Sequence, residues 1–530
     1  MVFRSLWDGV RRAPHNRRPV VRMGAVAAAM GVGVALTVSG GPAAAAAPTG
    51  TRYYVDCSAG NDAATGTSAD TAWRSLARVD TVTFKPGDSV LLRSGTTCDG
   101  VLSPQGSGSA GHPIVLGSYG TGARPAINGE GAAAAVVLDN VQYWELRNLD
   151  VSDPATPDGT PRIGIYVLLD NFGTGNHYVI DNVDVHDVIG ADSTGPDVQD
   201  SGGIVFKAAG STVPTGFNGI QVTGDTVSGT DGYGIATVSQ WSLRSFFPGG
   251  ENSFVPLTNI LVSGNHLSDM GGDGIVIQNG QDPLVQYNVV SGFGLRATAY
   301  HAGIWAWNSN HPVMQYNDVS GGATAPPAMA FDVDGADSDV VYQYNYSHDN
   351  GGGFLAMCDV PGEQTIGATI RYNLSVNDHD DPWGSITVPV ISNGCGLTEP
   401  GISFYDNVVY SPTSTALVGN FGTTSVAYSN NIFYGKPGGS TISDSVSTFD
   451  HNLYENIASV PTGDQHAVTG DPLFTAPALG PLGFTLDCGS PALGAGTAIA
   501  GGPQHDFYGF PVPTAGALNI GLDQGPCLKR

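Results

Sequence analysis

The sequence predicts an all-β solenoid, in which short parallel strands stack as successive rungs around one core. Three observations predict it: a short apolar strand pattern recurs along the chain, an asparagine precedes most copies, and successive copies start about 21 to 43 residues apart. The shortest spacings match one rung of a solenoid. Gly accounts for 75 of 530 residues and charged residues for only 13%. The regular spacing of Ile, Val and Phe nevertheless indicates a packed core rather than disorder.

The asparagines that precede these strands are predicted to have a structural role. An asparagine at a tight bend can hydrogen-bond the backbone of the next rung, so a column of them forms an internal ladder. We therefore nominate none of them as catalytic. The column comprises Asn148, Asn182, Asn265, Asn288, Asn317, Asn345, Asn373, Asn407, Asn431 and Asn452, with Asp225 in the same position between the second and third.

Residues 1–47 are predicted to be a secretory signal peptide. Six arginines precede an apolar run that ends near Val38, and the alanines at 43–47 offer cleavage sites. The pair Arg17-Arg18 is loosely similar to a twin-arginine signal, so Sec and twin-arginine export both stay open. The alternative is a membrane anchor, but the run is short and rich in Gly and Ala. We expect a secreted, extracellular protein that does not contact a membrane after cleavage.

The charge of the chain argues against several classes of partner. The net charge is −26, and without residues 1–47 there remain 15 basic and 46 acidic side chains, a net charge near −31. Such a surface repels nucleic acid and anionic membranes. It also disfavours binding of a polyanion without a cation to neutralise the charge. The expected partner is a neutral or weakly charged polysaccharide or oligosaccharide, bound by a monomer.

The cysteines predict a disulfide framework. There are six of them, all after the predicted signal, and an even count in an exported chain favours three disulfides. A zinc site is the alternative, but the chain has no CxxC and its spacings fit no zinc finger. Fifteen pairings are possible, and proximity in sequence suggests Cys57 with Cys98, Cys358 with Cys395, and Cys488 with Cys527.

Both ends of the repeat region carry motifs of a known superfamily. Near the amino terminus stand Tyr-Tyr-Val-Asp-Cys at 53–57, Trp-Arg-Ser-Leu at 73–76 and Pro-Gly-Asp at 86–88. Near the carboxyl terminus stand Asp-Pro-Leu-Phe at 471–474 and Cys-Gly-Ser-Pro-Ala at 488–492. This series resembles secreted right-handed parallel β-helix proteins of the pectate-lyase-like superfamily.

The resemblance implies a single-domain right-handed parallel β-helix with long loops on one side. In that arrangement residues 48–130 form an amino-terminal cap and the first rungs, and the segment at 73–76 forms a helix that closes the coil. Residues 131–460 form the repeats with a substrate groove, and residues 461–530 form the last rung and a tail. The superfamily contains enzymes of different reaction classes, so the resemblance does not assign the chemistry.

The stretch 267–357 contains the richest set of candidate functional side chains. Side chains alternate between the two faces of a strand, so one set points into the core and the other outward. If the strand patterns stack in register, tryptophans lie beside aspartates on one outer surface, as a sugar-binding platform next to an acid pair. The predicted outward set is Gln278, Trp305, Trp307, Asp332, Asp334, Leu355 and Met357.

Asp332 and Asp334 are the leading catalytic candidates. Two nearby carboxyl groups are the minimum apparatus for glycoside hydrolysis, one as acid and the other as base or nucleophile. Their spacing leaves retaining and inverting mechanisms open. Calcium is the alternative, because Asp332, Asp334, Asp337 and Asp339 alternate like hard-oxygen ligands. A plain solvated surface is the third interpretation, and no cofactor is required for hydrolysis.

Two histidines and a third aspartate are further catalytic candidates. His301 precedes the tryptophan strand and His348 follows the aspartate strand, so either could carry a proton or orient a carboxylate. Asp273 precedes another strand of the same surface. Each of these residues is also explained as an ordinary turn or surface residue.

The candidate substrate-binding residues are mainly aromatic or cationic. Exposed Trp305 and Trp307 would be costly unless a sugar or a loop covers them. Lys207 and Arg296 are rare cations in an acidic protein, although Lys207 lies several rungs from the aspartates. Gln278 shares the tryptophan surface, and Asp349 follows His348.

Three functions remain open at this point. A secreted glycoside hydrolase is favoured by the carboxylates and tryptophans. A polysaccharide lyase or uronate epimerase, with or without calcium, is the second, although basic residues are scarce. A non-catalytic carbohydrate-binding or cell-surface protein is the third.

Overall fold

The fold consists almost entirely of parallel β-sheet. A computed structural model describes residues 50–192, 201–244, 253–359, 362–384, 386–394 and 398–529. In these residues three long sheets run side by side along one coil, and almost every strand pairs in parallel with the strands one turn before and after it. The predicted signal at residues 1–47 lies outside the described residues.

The strands are short, as the repeat predicts. The first sheet contains Arg52–Val55, Ser89–Arg93, Ile114–Tyr119, Trp144–Arg147, Thr174–Asp181, Gly216–Thr223, Leu257–Ser263, Gly280–Gln281, Leu284–Gln286, Val313–Gln315, Ser338–Gln343, Ile366–Arg371, Ile402–Tyr405, Val426–Ser429 and Thr448–Asp450. The second sheet contains Thr97–Asp99, Ala126–Asn128, Asp150–Asp153, Asp184–Val188, Thr226–Thr230, His266–Met270, Val289–Ser291, Asp318–Ser320, Tyr346–His348, Leu374–Val376, Val408–Tyr410, Ile432–Tyr434, Leu453–Glu455 and Val468–Thr469. The third sheet contains Ala134–Asp139, Ile163–Asp170, Gly202–Ala209, Tyr233–Ser239, Ile275–Gln278, Ala302–Trp307, Met329–Val333, Leu355–Met357, Ile391–Asn393, Ala416–Asn420 and Thr441–Ser443.

Between the two ends, each turn of the coil passes through the three sheets in the same order. A strand of the first sheet is followed by one of the second and then one of the third, and the next turn returns to the first. A separate antiparallel hairpin, Asp381–Trp383 with Ile386–Val388, stands in one insertion. The predicted parallel β-helix is therefore confirmed.

One continuous apolar core fills the inside of the coil. Alternate side chains of each strand point inward, for example Ile304 of one turn and Phe331 of the next, which are paired and fully buried. The interior columns are built from Ile, Val, Leu and Phe because these side chains pack closely on a pleated surface. The core is thus a stack of like side chains, and it fixes which side chains face outward.

Local helical structure lies at the two ends of the coil. The α-helix Leu76–Asp80 begins at Ser75, whose Oγ accepts a hydrogen bond from the backbone N–H of Arg78 at 3.2 Å. Leu76 and Val79 of this helix join the core. The predicted amino-terminal helix is present, although it starts at the end of the 73–76 segment. In the part of the chain that the structure describes, the other helical segments are the 3-10 turns Ala69–Thr71, Pro477–Leu479 and Pro481–Phe484.

The asparagine ladder runs inside the coil from Asp225 to Asp464. Each buried asparagine accepts hydrogen bonds, through its side-chain oxygen, from the backbone N–H and the side-chain amide of the preceding member. Asn148 and Asn182 do not belong to it, which corrects the prediction. They are exposed residues with positive φ, one position before the ladder, where Leu149 and Val183 stand. The ladder comprises Asp225, Asn265, Asn288, Asn317, Asn345, Asn373, Asn407, Asn431, Asn452 and Asp464.

Two of the predicted disulfides are present. Cys57 is bonded to Cys98, with Cα atoms 5.3 Å apart, and Cys488 to Cys527, with Cα atoms 4.8 Å apart. Cys395, the partner predicted for Cys358, lies outside the described residues. Disulfides are typical of proteins outside the cytoplasm. No helix among the described residues is long and apolar enough to cross a membrane.

Candidate active site

The candidate site lies on the outer face of the third sheet. Val276, Trp305, Asp332 and Ala356 pair in register on four successive strands, so their side chains form one outward row. Neighbouring strands are about 4.8 Å apart, so the indole of Trp305 and the carboxyl group of Asp332 are direct neighbours. This is the register that the repeat predicts for the tryptophan and aspartate strands.

In the fourth strand of the predicted surface, Leu355–Met357, the side chains face the opposite way from the prediction. Leu355 pairs with Phe331 and Met357 with Val333, so both point into the core rather than outward. The N–H groups of Phe354 and Leu355 both donate to the carbonyl of Val390, at 2.7 and 3.2 Å. This is the geometry of a β-bulge, in which two residues oppose one and the alternation shifts by one position. The prediction that Leu355 and Met357 face outward is therefore wrong.

Asp332 is a buried carboxyl group among other carboxyl groups. Its exposed fraction is 6%, and its buried Oδ1 makes no hydrogen bond to any described residue. Burial raises the pKa of Asp332 well above its usual range, and the charges of Asp334, Glu399 and Asp273 raise it further. Burial and the neighbouring charges thus both favour the protonated form of the Asp332 side chain.

Asp334 follows the same strand and belongs to the same acidic cluster. Burial raises the pKa of Asp334 to about 8; a hydrogen bond from the N–H of Gly335 at 2.7 Å opposes this rise, and the charges of Asp359 and Glu363 add to it. Asp332 and Asp334 thus share an environment in which close carboxyl groups cannot all ionise. Such a site holds protons at a pH where ordinary carboxylates have lost them.

The sequence interpretation missed two carboxyl groups of this cluster, Asp359 and Glu399. Burial raises the pKa values of Asp359 and Glu399, to about 7 and about 9, and the charge of Asp359 adds to the rise at Glu399. Asp359 follows the strand Leu355–Met357. With the register that the bulge produces, the sequence would have placed Asp359 close to Asp332 and Asp334. Glu399 lies in the insertion before Ile402–Tyr405 and has no repeat position, so no periodic signal indicates it.

Trp307 has a different environment from Trp305. Its indole N–H donates to Glu363 Oε2 at 3.0 Å, and its strand position pairs with that of Gln278. Gln278 is buried, and its side-chain oxygen lies 3.4 Å from the N–H of Ser239. Trp307 and Gln278 are thus held by the protein itself, whereas the indole N–H of Trp305 is buried and makes no hydrogen bond to a described residue.

His301 and Asp273 form a buried pair at the turn that enters the third sheet. His301 Nδ1 lies 2.8 Å from Asp273 Oδ2, and Asp273 Oδ1 accepts the N–H of Ala302 at 2.7 Å. Burial lowers the pKa of His301, but the charge and hydrogen bond of Asp273 outweigh this and raise it. His301 is 7% exposed, and its Nε2 makes no hydrogen bond to a described residue. The hydrogen bond between Asp273 and His301 thus orients the imidazole. The pair lies next to the acidic cluster, since the charge of Asp273 contributes to the raised pKa of Asp332.

Arg296 is engaged by carboxylates on the same side of the coil. Its guanidinium contacts Asp231 Oδ1 and Asp269 Oδ1, each at 2.6 Å, and lies 3.7 Å from Asp192 Oδ2. Burial raises the pKa of Asp192 to about 6, and the charge of Asp231 adds to the rise. The charge of Asp192 also acts on His301, so Arg296 belongs to the polar surroundings of the His301–Asp273 pair.

The other predicted site residues are not brought to this cluster. His348 lies in the second sheet, where it contacts Asp318 at 3.1 Å and Asp349 at 2.9 Å, so neither His348 nor Asp349 reaches the outer face of the third sheet. Lys207 does lie in the third sheet, but four strands before Asp332, which is about 19 Å along the coil. Lys207 instead lines a separate cavity of about 410 Å³ with Tyr166.

The four aspartates of the predicted calcium site separate in the fold. Asp337 turns toward the N–H of Ser309, which it accepts at 2.8 Å, and exposed Asp339 lies in the first sheet near His311. Asp332 and Asp334 stay on the third-sheet side. The side chains that can bind a metal ion are those of His, Cys, Asp and Glu. Among the described residues, the one group of three of them whose possible ligand atoms all lie within 4.8 Å of one another is Asp450, His451 and His466.

Comparisons with known proteins identify the fold. The family model described as "Right handed beta helix region" matches residues 249–377. The chain is a right-handed parallel β-helix. A crystal structure of a GH136 lacto-N-biosidase from Eubacterium ramulus is similar to this right-handed β-helix, with a TM-score of 0.59, 23% identity, and coverage of 76% of this chain and 67% of that chain. A structure of XylC with xylose has a TM-score of 0.51 and 10% identity, and covers 90% of this chain and 99% of that one.

One curated relative extends the similarity beyond the fold. A lacto-N-biosidase from Bifidobacterium longum subsp. longum is 27% identical to this β-helix over an alignment of 607 positions, which covers 94% of this chain. The alignment covers 37% of the relative, so this chain spans little more than a third of the length of the protein that it matches.

Proposed function

We propose that the chain is a glycoside hydrolase that cleaves oligosaccharides, and that its reaction is that of a lacto-N-biosidase. The observation that carries this proposal is the outward row of the third sheet, where a buried carboxyl group with a strongly raised pKa stands beside an indole. The similarity to the Bifidobacterium longum enzyme across almost the whole chain supports the substrate class.

Asp332 is the proposed proton donor. A glycosidic bond breaks more easily when its oxygen is protonated as the bond lengthens, and this needs an acid that keeps its proton near neutral pH. Burial and the neighbouring carboxyl groups raise the pKa of Asp332, which favours retention of its proton. Its carboxyl group is buried on the outward side of the third sheet, beside Trp305, the residue proposed to receive a sugar ring.

Asp334 is the proposed second carboxyl group of the reaction. In glycosidases the second group, in its ionised form, either activates water or attacks the anomeric carbon. Burial and the neighbouring acidic groups raise the pKa of both residues, and close carboxyl groups do not all ionise, so one group can carry the proton while the other is ionised. We assign the proton to Asp332 because its side chain is the more deeply buried of the two and stands beside Trp305.

Trp305 and the His301–Asp273 pair are proposed to position the substrate. The face of an indole is a large apolar surface on which a sugar ring can stack. His301 Nε2 is a polar atom without a hydrogen bond to the described residues, and Asp273 fixes its ring through Nδ1. A sugar hydroxyl bound there would be oriented relative to Asp332. His301 is thus a positioning residue in this proposal.

The lyase alternative is less well supported by the positions of the cations. Elimination from a uronate needs a base such as lysine or arginine beside the acidic sugar. Lys207 lies about 19 Å from Asp332 along the coil, and Arg296 is engaged by Asp231 and Asp269. The acidic cluster itself would repel a uronate.

The test is turnover of a chromogenic lacto-N-bioside and of oligosaccharides that contain the same disaccharide. We expect wild-type chain to release the disaccharide without unsaturated products absorbing near 235 nm. Asp332→Asn should lower kcat by about 10²–10⁴-fold, whereas Asp339→Asn, at an exposed position of the first sheet, should retain it. Full turnover by Asp332→Asn would overturn the assignment, and saturable binding without turnover by wild type would show a binding protein instead.

A further inference from the structure

A cluster of two histidines and one aspartate lies at the carboxyl-terminal end of the coil, far along the chain from the proposed active site. Asp450 ends the last strand of the first sheet, His451 is the next residue, with a φ of 56°, and His466 precedes the last strand of the second sheet, Val468–Thr469. The cluster therefore joins two successive turns of the coil.

The three side chains present ligand atoms to a common point. Asp450 Oδ1 lies 2.8 Å from His466 Nδ1, and Asp450 Oδ2 lies 3.0 Å from His451 Nδ1. The two imidazole rings are stacked, with centroids 4.1 Å apart. One oxygen and two nitrogens lie within 4.8 Å of one another, so small side-chain rotations are enough to bring all three to one ion with bonds of about 2.0–2.2 Å.

The nitrogen of His451 is not satisfied by its neighbour. His451 Nδ1 is buried and lies 3.0 Å from Asp450 Oδ2, but the contact lacks the alignment of a hydrogen bond. A buried polar atom without a partner is costly. A metal ion would satisfy this nitrogen, because it can bind the nitrogen lone pair from a direction other than that of Asp450 Oδ2.

A buried carboxylate fixes the backbone of both histidines. Asp464 Oδ1 accepts the N–H of His451 and the N–H of His466, each at 3.1 Å, and Asp464 Oδ2 accepts the hydroxyl of Tyr454 at 2.9 Å. Asp464 also ends the asparagine ladder by bonding Asn452. The two ligand-bearing residues are therefore held in place before any ion binds, as the outer shell of a metal site requires.

Other histidines of this chain sit between carboxylates without forming such a set. His348 lies between Asp318 and Asp349, and His186 lies between Asp150 and Asp187; each has one imidazole and two acids. In those places a protonated imidazole explains the contacts. Two imidazoles that share one carboxylate are better explained by a cation that takes nitrogen and oxygen ligands together.

We propose that Asp450, His451 and His466 bind a zinc ion. Zn²⁺ is a borderline acid that prefers imidazole and carboxylate at four-coordinate sites, and a water can occupy the fourth position. The ion would join the last strand of the first sheet to the turn that enters Val468–Thr469. Its effect would be to fasten the end of the coil, because a ligand that binds only the folded state stabilises it.

The test is zinc binding by the purified, untagged full chain after treatment with EDTA. Calorimetry with ZnCl₂ should give one site per chain, and the melting temperature should rise with ZnCl₂ and fall again with EDTA. His466→Ala and the milder His466→Gln should weaken binding by more than the roughly 10–100-fold caused by loss of an outer-shell partner. His311→Ala, which removes an exposed histidine between Asp282 and Asp339, is the matched control and should bind as wild type.

Three results would overturn the proposal. One is the absence of saturable zinc binding by wild-type chain. Another is His466→Gln binding as tightly as wild type. The third is loss of binding in His311→Ala, which would place the ion elsewhere. Turnover of a lacto-N-bioside should be the same with and without zinc, so this outcome is separate from the fate of the proposed hydrolase.

Discussion

Two polar regions of this molecule differ in how their buried atoms are satisfied. In the interior ladder, Asn345 accepts two hydrogen bonds from Asn317, at 3.0 Å each, and donates to Met314 and Asn373. On the outer face of the third sheet, Asp332 is almost as deeply buried, but its Oδ1 makes no hydrogen bond to a described residue. The asparagines of the ladder are neutral and their amides are hydrogen-bonded to one another, whereas the carboxyl groups around Asp332 are crowded and their burial is costly.

The two regions therefore differ in their cost to the stability of the folded chain. Buried carboxyl groups that raise one another's pKa destabilise the folded state when they ionise. Perturbed carboxyl groups concentrate at functional sites because chemistry needs them. The ladder therefore indicates a structural role, and the cluster around Asp332 indicates a catalytic one.

The largest expected effect on stability is in the ladder. Asn345→Ala removes the acceptor of the N–H of Asn317, one of the two acceptors of its side-chain amide, and a donor to the carbonyl of Met314, so the free energy of unfolding should fall by about 3 kcal/mol. Urea denaturation measures this. Gln343→Ala is the control: this glutamine of the same turn is half-exposed and bonds Gln315 at 2.8 Å, but water can replace that bond. Equal losses in both variants would remove the distinction between ladder and surface.

A smaller, pH-dependent effect is expected where the ladder has an aspartate. Asp225 Oδ1 accepts the N–H of Val183 at 2.7 Å, but Oδ2 is buried without a partner, and burial raises the pKa of Asp225 to about 7. The folded state therefore binds a proton more tightly than the unfolded state, so the stability from Asp225 is present below about pH 4 and is lost as pH rises through 7. Asp225→Asn should raise the free energy of unfolding by about 2 kcal/mol at pH 8 and hardly at all at pH 4.

The reciprocal variant, Asn265→Asp, provides the control on the next turn. It should lose stability as pH rises, because a carboxylate replaces an amide that donates to Val222. If Asp225→Asn destabilises the chain at pH 8, burial is not what raises the pKa of Asp225.

The next effect concerns the aromatic platform. Trp305→Ala should raise KM about tenfold and leave kcat within about threefold, because the indole binds the ground state and the transition state alike. Trp305→Phe should retain most of the affinity, since a phenyl ring keeps an apolar face. Initial rates over a range of lacto-N-bioside concentrations separate the two constants. An unchanged KM in Trp305→Ala would mean that the sugar does not rest on this residue.

The smallest effect is expected at His348. Burial lowers the pKa of His348, but its hydrogen bonds to Asp318 and Asp349 outweigh this and raise the pKa to about 9. The stabilisation is therefore present below about pH 6.5 and is lost as pH rises through 9. His348→Ala should cost about 0.5 kcal/mol at pH 6 and nothing above pH 9, with turnover unchanged. A large loss of turnover would place the chemistry on the second sheet instead.

The sequence predicts the coil well because its signal repeats. Asparagines and apolar strands recur at each turn, and this periodicity gave the parallel sheets and the pairing of Trp305 with Asp332. The predicted outward orientation of Leu355 was wrong because one bulge, at Phe354, shifts the alternation of side chains without changing the composition of the strand. Periodicity therefore predicts the core, and a single irregular residue is enough to reverse a face.

The site was harder to predict because much of it lies outside the repeat. Glu399 comes from an insertion, so nothing in the sequence relates it to Asp332. The His301–Asp273 pair was within reach, since the two residues are 28 positions apart and Asn288 and Asn317 show that this turn takes 29. His348 is the last residue of Tyr346–His348, and that strand belongs to the second sheet, which the order of strands within a turn would have shown.

The central claim is that the carboxyl group of Asp332 serves chemistry at the expense of stability. The most direct measurement combines the melting temperature and the turnover of Asp332→Asn at pH 7. We expect a melting temperature equal to or above that of wild type, because an amide relieves the crowding of carboxyl groups, together with a loss of turnover of about 10²–10⁴-fold. A lowered melting temperature with intact turnover would contradict the account, because Asp332 would then be a structural residue.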